Sequence, residues 1–258
     1  MITLLSPSKG QNFDVTDVDR HSQPALLSQS KQLMAQLKTM QPSEIKSLMS
    51  VSDRLAELNY ERFQQFKTPF KSGAAKQAVL AFQGDVYSGL KADEMSRDDL
   101  SFAQDHLRIL SGLYGYLNPL DLIMPYRLEM KTKLAVDGHE NLYQFWGDTL
   151  TDCINNELSD QDTVINLASN EYFKAIKPKK LNSKIINISF KDSKDGKTRV
   201  VAIYAKIARG AMARAIIKNR VNEPEDIKQL VVDDYRFQDG LSDETNWVFT
   251  RKQPAPKS

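Results

Sequence analysis

Three short loops in this chain carry residue types that do chemistry, and each follows an apolar run that reads as a strand: Ser6-Pro7-Ser8-Lys9, Gln83-Gly84-Asp85 and Ala168-Ser169-Asn170-Glu171-Tyr172. If the strands share a sheet and a direction, the loops meet in the crevice at the strands' carboxyl ends, where open α/β sheets place ligands. Lys9 would serve there as a phosphate partner or, if desolvated, as a nucleophile with lowered pKa; a surface lysine after a proline turn is the plainer reading. Asp85, Asp148 and Glu171 offer general-base or metal-binding carboxylates, and equally helix caps or ion-pair partners. Tyr126-Arg127 sets an aromatic face beside a guanidinium, a pairing that stacks a base and grips a phosphate; Trp146 either does the same or belongs to the core.

Charge adds a second line of argument. The net charge of +2 hides an uneven distribution: residues 171–220 hold 14 Lys+Arg against 3 Asp+Glu, residues 1–170 hold 16 against 22, and residues 221–258 hold 5 against 8. A basic segment in an otherwise acidic chain is the footprint of a polyanion site, the alternative being a solvated lysine-rich face. The segment contains Lys177, Lys179 and Lys180, then a helix read from Ala205 to Val221. On that helix a step of about 100° per residue puts Lys206, Arg209 and Arg220 in one sector and turns Arg214 and Lys218 away, toward solvent or a phosphate backbone. Gly210 beside Arg209 would permit close approach.

Backbone donors are a further candidate. A helix read from Ser96 to Leu110, a tight turn bracketed by Gly112 and Gly115, and Asn118-Pro119 opening a second helix together predict a helix–hairpin–helix over about residues 98–124. Glycines in such a turn point N–H groups outward at phosphate oxygens, without reading base sequence. DNA-binding versions space the glycines one residue apart, whereas two residues separate these, and a Gly-rich corner between packed helices is the competing reading.

Other chemistries find no support. His21, His106 and His139 are scattered and Cys153 is the single cysteine, so no spacing suggests a metal centre, and no metal or other cofactor is expected. There is no Walker loop, nucleophile elbow or Rossmann fingerprint. The amino terminus lacks a signal-peptide pattern, no apolar run reaches the roughly 20 residues of a membrane helix, and one cysteine suits a reducing compartment; a cytoplasmic protein without membrane partners is expected.

The elements that must position these residues are a strand at Ile2–Leu5, helices between residues 23 and 66 with a Leu48, Val51, Leu55, Leu58 core stripe, and a short strand or helix end at Ala78–Phe82. Strands follow at Val164–Leu167, Lys184–Phe190 and Thr198–Tyr204, the last two joined through Asp195-Gly196, then the Ala205 helix and a closing strand at Trp247-Val248-Phe249. Residues 253–258 read as disordered. Strand and helix mix without regular βαβ alternation, which predicts a mixed α/β (α+β) fold, a single compact domain over residues 1–258 with a central mixed sheet surrounded by helices.

Motifs along almost the whole chain resemble the peroxide stress resistance protein YaaA family. Ser6-Pro7-Ser8-Lys9, Phe82-Gln83-Gly84-Asp85-Val86-Tyr87-Ser88-Gly89-Leu90, Leu110-Ser111-Gly112-Leu113-Tyr114-Gly115, Pro125-Tyr126-Arg127-Leu128-Glu129-Met130 and Phe145-Trp146-Gly147-Asp148 carry the first part of the resemblance. Asn166-Leu167-Ala168-Ser169-Asn170-Glu171-Tyr172-Phe173, Lys177-Pro178-Lys179-Lys180 and Ala205-Lys206-Ile207-Ala208-Arg209-Gly210 carry the rest. The resemblance implies a compact α/β fold of unusual topology, a helix–hairpin–helix, a basic cleft that binds DNA, and a role in surviving hydrogen peroxide by limiting iron-driven damage; it implies no established reaction. Two functions therefore stand at this level. The first is a DNA-binding protein, holding duplex or structured DNA through phosphates with little base readout. The second is a glycosylase- or lyase-like enzyme acting on a nucleobase, nucleotide or DNA lesion near Lys9, Asp85, Arg127 and Glu171.

Overall fold

Strand β1 (Ile2–Leu5) is buried along its whole length, and this continuous apolar run places it in the middle of a sheet covered on both faces. The computed structural model describes residues 1–70 and 73–254, so of the tail expected to be disordered, residues 255–258 lie outside the described residues. After β1 come β2 (Gly10–Gln11), the helices α1 (Leu27–Thr39), α2 (Pro42–Met49) and α3 (Asp53–Gln65), then β3 (Lys76–Gln77), α4 (Ala78–Ala81) and β4 (Phe82–Gln83). Helices α5 (Asp85–Leu90) and α6 (Arg97–His106) lead into β5 (Leu107–Ser111), β6 (Gly115–Leu117) and β7 (Leu122–Ile123). The second half contains α7 (Leu142–Trp146), α8 (Thr149–Glu157), β8 (Thr163–Asn166), α9 (Asn170–Phe173), β9 (Lys184–Lys194), β10 (Lys197–Arg199), α10 (Ala202–Lys218), β11 (Arg236–Phe237) and β12 (Asn246–Lys252).

The main sheet runs β11-β12-β9-β8-β1-β5-β6, with β10 beside β9. Its middle is parallel, since β12, β9, β8, β1 and β5 all pair in the same direction, while β6, β10 and β11 add antiparallel edges. The result is the expected mixed α/β architecture, one main mixed sheet flanked by helices in a single compact domain. It is nevertheless closer to a doubly wound sheet than the element order suggests. About a hundred residues of helix and small hairpins separate β1 from its neighbour β5, and this insertion hides the βαβ rhythm. The chain leaves β1 toward β5 on one side and returns to β8, β9 and β12 on the other, so β1 and β8 flank a topological switch point.

The helix–hairpin–helix is corrected by the structure. Helix α6 starts where expected, with Ser96 and Asp99 forming a capping box, but stops at His106. Leu107 to Ser111 is strand β5, paired with β1 through Thr3↔Leu107 and Leu5↔Ile109 and folded back on β6 through Ser111↔Gly115. The Leu-Arg-Ile-Leu run satisfies a helical stripe and a strand buried on both faces equally well, and pairing with β1 decides between them. Even Arg108 is buried there, held by Glu157 at 2.7 Å. After the hairpin, Asn118-Pro119 opens a turn into β7 and caps no helix.

The reading of residues 198–204 as a strand also gives way. Strand β10 ends at Arg199 and helix α10 begins at Ala202, because Ala205, Ala208, Met212, Ala213, Ile216 and Ile217 bury one helical face that outweighs the local β-branched residues. The remaining strands and the Asp195-Gly196 turn, with both residues at positive φ, lie where their patterns placed them, and residues 23–66 are helical as expected. Leu48, Val51, Leu55 and Leu58, however, do not form a core stripe: Ser50 at positive φ separates α2 from α3, Leu58 is exposed, and Ile45, Met49, Ala56 and Phe63 are buried instead.

Candidate functional site

Strand β1 stops at Ser6-Pro7, and β8 beside it stops at Leu167, so the two loops open side by side at the switch point. A hydroxyl network fastens them. The Ser169 amide donates to Ser6 Oγ at 2.8 Å, the two serine hydroxyls meet at 3.2 Å, and Tyr87 Oη donates to the Ser6 carbonyl at 3.1 Å. Burial pushes the Tyr87 phenol well above its ordinary value, which keeps it a hydrogen-bond donor. The third loop arrives by another route. Pairing of Gly10 with Gln83 in the small β2-β4 sheet draws residues 83–85 over the crevice, with Gly84 at φ +102°, a backbone conformation that favours glycine, and 3.1 Å between a Cβ there and Ser8 Oγ.

Helix α10 closes the crevice from above. A Cβ on Gly210 would lie 1.7 Å from the Val86 carbonyl oxygen, and one on Gly89 would lie 2.0 Å from that of Ile207, so α5 and α10 touch backbone to backbone. The close approach that Gly210 was expected to permit is therefore to helix α5. It sets Lys206 and Arg209 over the strand ends.

The enclosed space is about 300 Å³, and its lining includes Lys9, Asp85, Glu129, Glu171, Lys206 and Arg209, with apolar walls from Pro7, Val86 and Tyr172. The convergence of Lys9, Asp85 and Glu171 expected from their strand-end loops is thus present. Each charge has a setting. Lys206 Nζ is 3.2 Å from Asp85 and Lys9 Nζ is 2.6 Å from Glu129. Glu171 accepts a long 3.4 Å bond from the Lys131 amide, leaving its carboxylate otherwise open to the crevice. The Arg209 Nε is sealed from solvent without a hydrogen-bond partner, and burial pulls the guanidinium down from its ordinary value.

Glu129 is the functional residue that sequence reasoning passed over. Its carboxylate is nearly buried, binds Lys9, lies 3.3 Å from Arg127 and reaches Lys131 at 3.8 Å. Burial alone would raise its pKa, but the ion pair with Lys9 and the charge of Arg127 overcome this and hold it below the usual carboxylate value. A carboxylate enclosed by three cations was signalled in the sequence by Arg127, Glu129 and Lys131 alternating along one loop, a strand-like spacing that puts all three on one side.

Other expected site residues lie elsewhere. Gly112 and Gly115 are interior: a Cβ on Gly112 would come 2.2 Å from the Leu128 carbonyl oxygen, and one on Gly115, at φ +69°, would come 2.7 Å from the Trp146 ring. Neither backbone reaches a phosphate, because both glycines exist to let the hairpin pack. Tyr126 is buried with its hydroxyl 2.7 Å from Ser111 Oγ, and Trp146 is fully buried with Nε1 donating to the Gly112 carbonyl at 3.1 Å, so neither stacks a base. Arg127 borders the crevice beside Lys9 and Glu129.

Arg214 donates to the carbonyls of Leu90 and Lys91 and pairs with Glu94 at 3.0 Å; it is a cap on the end of α5 and not a phosphate contact. Arg220 does not join Lys206 and Arg209, since it and Lys218 both bind Asp99, at 2.9 and 2.7 Å. Equal sectors on a helix 11 residues apart are still separated by roughly 16 Å along its axis, which the sector argument ignored. Asp148 pairs with Lys180 at 2.5 Å away from the crevice, and Lys177 and Lys179 are likewise outside its lining.

Comparison with known proteins follows this geometry. A family model described as peroxide stress protein YaaA matches residues 1–241. A UPF0246 protein of Acaryochloris marina is 47% identical over 251 residues, covering 97% of this chain and 100% of its own length. UPF0246 proteins of Teredinibacter turnerae and Colwellia psychrerythraea are 48% and 49% identical, each over 256 residues, 98% of this chain and 100% of their own lengths.

Proposed function

Because the chain belongs to the peroxide stress protein YaaA family, we propose that it acts in that response by binding DNA through phosphate contacts around the strand-end crevice, and so limits iron-driven oxidative damage to it. The observation that carries this reading is the meeting of Lys9, from the loop after β1, with Lys206 and Arg209, both on helix α10, in one concavity at the switch point. Cations brought together from distant sequence at a sheet's carboxyl edge suit an anionic ligand: Lys9 and Lys206 are held by Glu129 and Asp85, while Arg209 has no ion-pair partner among the described residues and is the charge that a bound phosphate completes.

A second group of cations supports it. Pairing with β8 ends at Asn187, yet β9 continues to Lys194, so the β9-β10 hairpin carrying Lys191, Lys194, Lys197 and Arg199 stands past the same sheet edge. Phosphates bound along this rim contribute affinity by counterion release and no base readout. Removing the rim charges together (Lys194→Gln, Lys197→Gln, Arg199→Gln) is expected to flatten the dependence of log affinity on log salt by about three units of slope at most. Unchanged affinity and slope would remove the hairpin from the account.

Three carboxylates in the same crevice favour a second reading, catalysis on a nucleobase or nucleotide. Lys9 is the weaker part of it: its side chain is 58% exposed and ion-paired, the setting of a phosphate clamp and not of a desolvated nucleophile. Borohydride trapping of a covalent Lys–DNA adduct that disappears in Lys9→Ala would establish catalysis; the absence of product with damaged duplexes and nucleotides leaves binding.

A further inference from the structure

Lys9 and Lys206 each have a carboxylate, at 2.6 and 3.2 Å, whereas among the described residues Arg209 has no ion-pair partner and its buried Nε donates to nothing. Burial pulls its guanidinium down from the ordinary value, the direction expected of a cation that loses hydration without gaining an ion pair. An uncompensated guanidinium partly withdrawn from water is destabilising unless an anion completes it. The crevice offers the place for that anion, and at about 300 Å³ it lies at the small end of ligand cavities.

Size and charge narrow the choice. A duplex is far wider than this concavity, and an internal phosphodiester is flanked by sugars on both sides and carries one negative charge. A phosphomonoester projects from its chain, presents three terminal oxygens and carries roughly −1.5 to −2 at neutral pH. It matches the forked donors of an arginine, which a single ammonium does not. Lys206, one turn before Arg209 on the same helix, and Lys9 across the crevice reach the anion by turning from Asp85 and Glu129, and the apolar walls at Pro7, Val86 and Tyr172 suit a sugar or base behind the phosphate.

We propose that Arg209 anchors a phosphomonoester in this crevice, carried either by the end of a nucleic-acid strand or by a free nucleotide. The proposal rests on the phosphate-recognition reading above and specifies which phosphate is recognised.

The test measures binding of the full chain to a short blunt duplex with 5′-phosphates, the same duplex with 5′-hydroxyls, a covalently closed circular duplex, a nucleoside 5′-monophosphate and the parent nucleoside. Phosphorylated ligands are expected to bind about tenfold more tightly than their unphosphorylated counterparts, the gap of one charge-assisted bidentate contact. Preference for the duplex end identifies a strand terminus as the source; preference for the monophosphate identifies a free nucleotide. Arg209→Met is expected to abolish the gap while raising the unfolding temperature, because it removes the uncompensated charge, and Arg209→Lys to keep only part of it. Equal affinities with and without the phosphate in the unsubstituted protein, or a gap that survives in Arg209→Met, would overturn the proposal. The closed circle separates the two readings: circle binding with no end effect retains DNA binding and sinks this inference, whereas an end effect without circle binding does the reverse.

Discussion

At the scale of single residues, the crevice is a balance of three carboxylates against cations, and the phosphate affinity proposed for it depends on which charges are already spent. Glu129 occupies Lys9 at 2.6 Å and draws on Arg127 and Lys131 as well. Replacing it with glutamine keeps the shape and releases those cations, so Glu129→Gln is expected to bind DNA several-fold more tightly and with a steeper salt dependence, checked by titration at two salt concentrations. Weaker binding in this variant would mean that Glu129 positions Lys9 productively and does not merely occupy it. Lys9, Asp85 and Glu171 were legible as a group from the sequence because each sits just after a strand, and Lys206 and Arg209 as neighbours on one helical face; that the two sets meet shows only in the fold. Glu129 was left out, because the alternation of Arg127, Glu129 and Lys131 was its only signal and its setting arises from a loop lying across strand ends it never joins. Arg214, Lys218 and Arg220 counted as free charge in the sequence, and only the packing of α10 against α5 and α6 shows them consumed by Glu94 and Asp99.

At the scale of elements, close backbone contact makes the site possible. The contact of Gly210 and Gly89 holds α10 on α5, and a methyl group at Gly210 would sit 1.7 Å from a carbonyl oxygen. Gly210→Ala is expected to lose roughly 3 kcal/mol of stability in denaturant unfolding and to weaken phosphate binding with it, since Lys206 and Arg209 move off the crevice. A stability change within about 0.5 kcal/mol would show that the helices separate without cost. A second junction is electrostatic. Asp121 is fully buried, accepts from Ser22 Oγ at 2.6 Å and from the Asn118 amide at 2.8 Å, and ties the loop before α1 to the turn after β6. Burial raises its carboxyl to about 6, against roughly 4 in the unfolded chain. Between these values the folded state holds the proton that the unfolded state has lost, so stability falls as pH rises from about 4 to 6 and the loss is complete above that range. Asp121→Asn should remove this decline, worth about 3 kcal/mol, and an unchanged stability–pH curve would show that Asp121 is ionised at little cost. Elements were legible wherever one period dominated, as in β1, β8 and β12, whereas the stripe read through Leu48 to Leu58 runs across the break between α2 and α3. Strand β5 was not, because Leu107 to Leu110 fits two periods and its partner β1 lies a hundred residues away.

At the scale of the molecule, the parallel centre of the sheet directs its strand ends, the crevice and the β9-β10 hairpin to one edge, and the proposed phosphate contacts lie at this shared edge and not at the buried Gly112–Gly115 hairpin. The proposed function requires that phosphates bind at this edge through Lys9 and Lys206. Its most direct test is duplex affinity measured across a salt series for the unsubstituted protein, for Lys9→Ala with Lys206→Ala, and for Lys177→Ala with Lys179→Ala, which changes the same number of charges outside the crevice. The crevice pair is expected to reduce the slope of log affinity against log salt by about 2 and affinity by tenfold or more, with the outside pair near the unsubstituted protein. Equal losses from both pairs, or an affinity indifferent to salt, would contradict it.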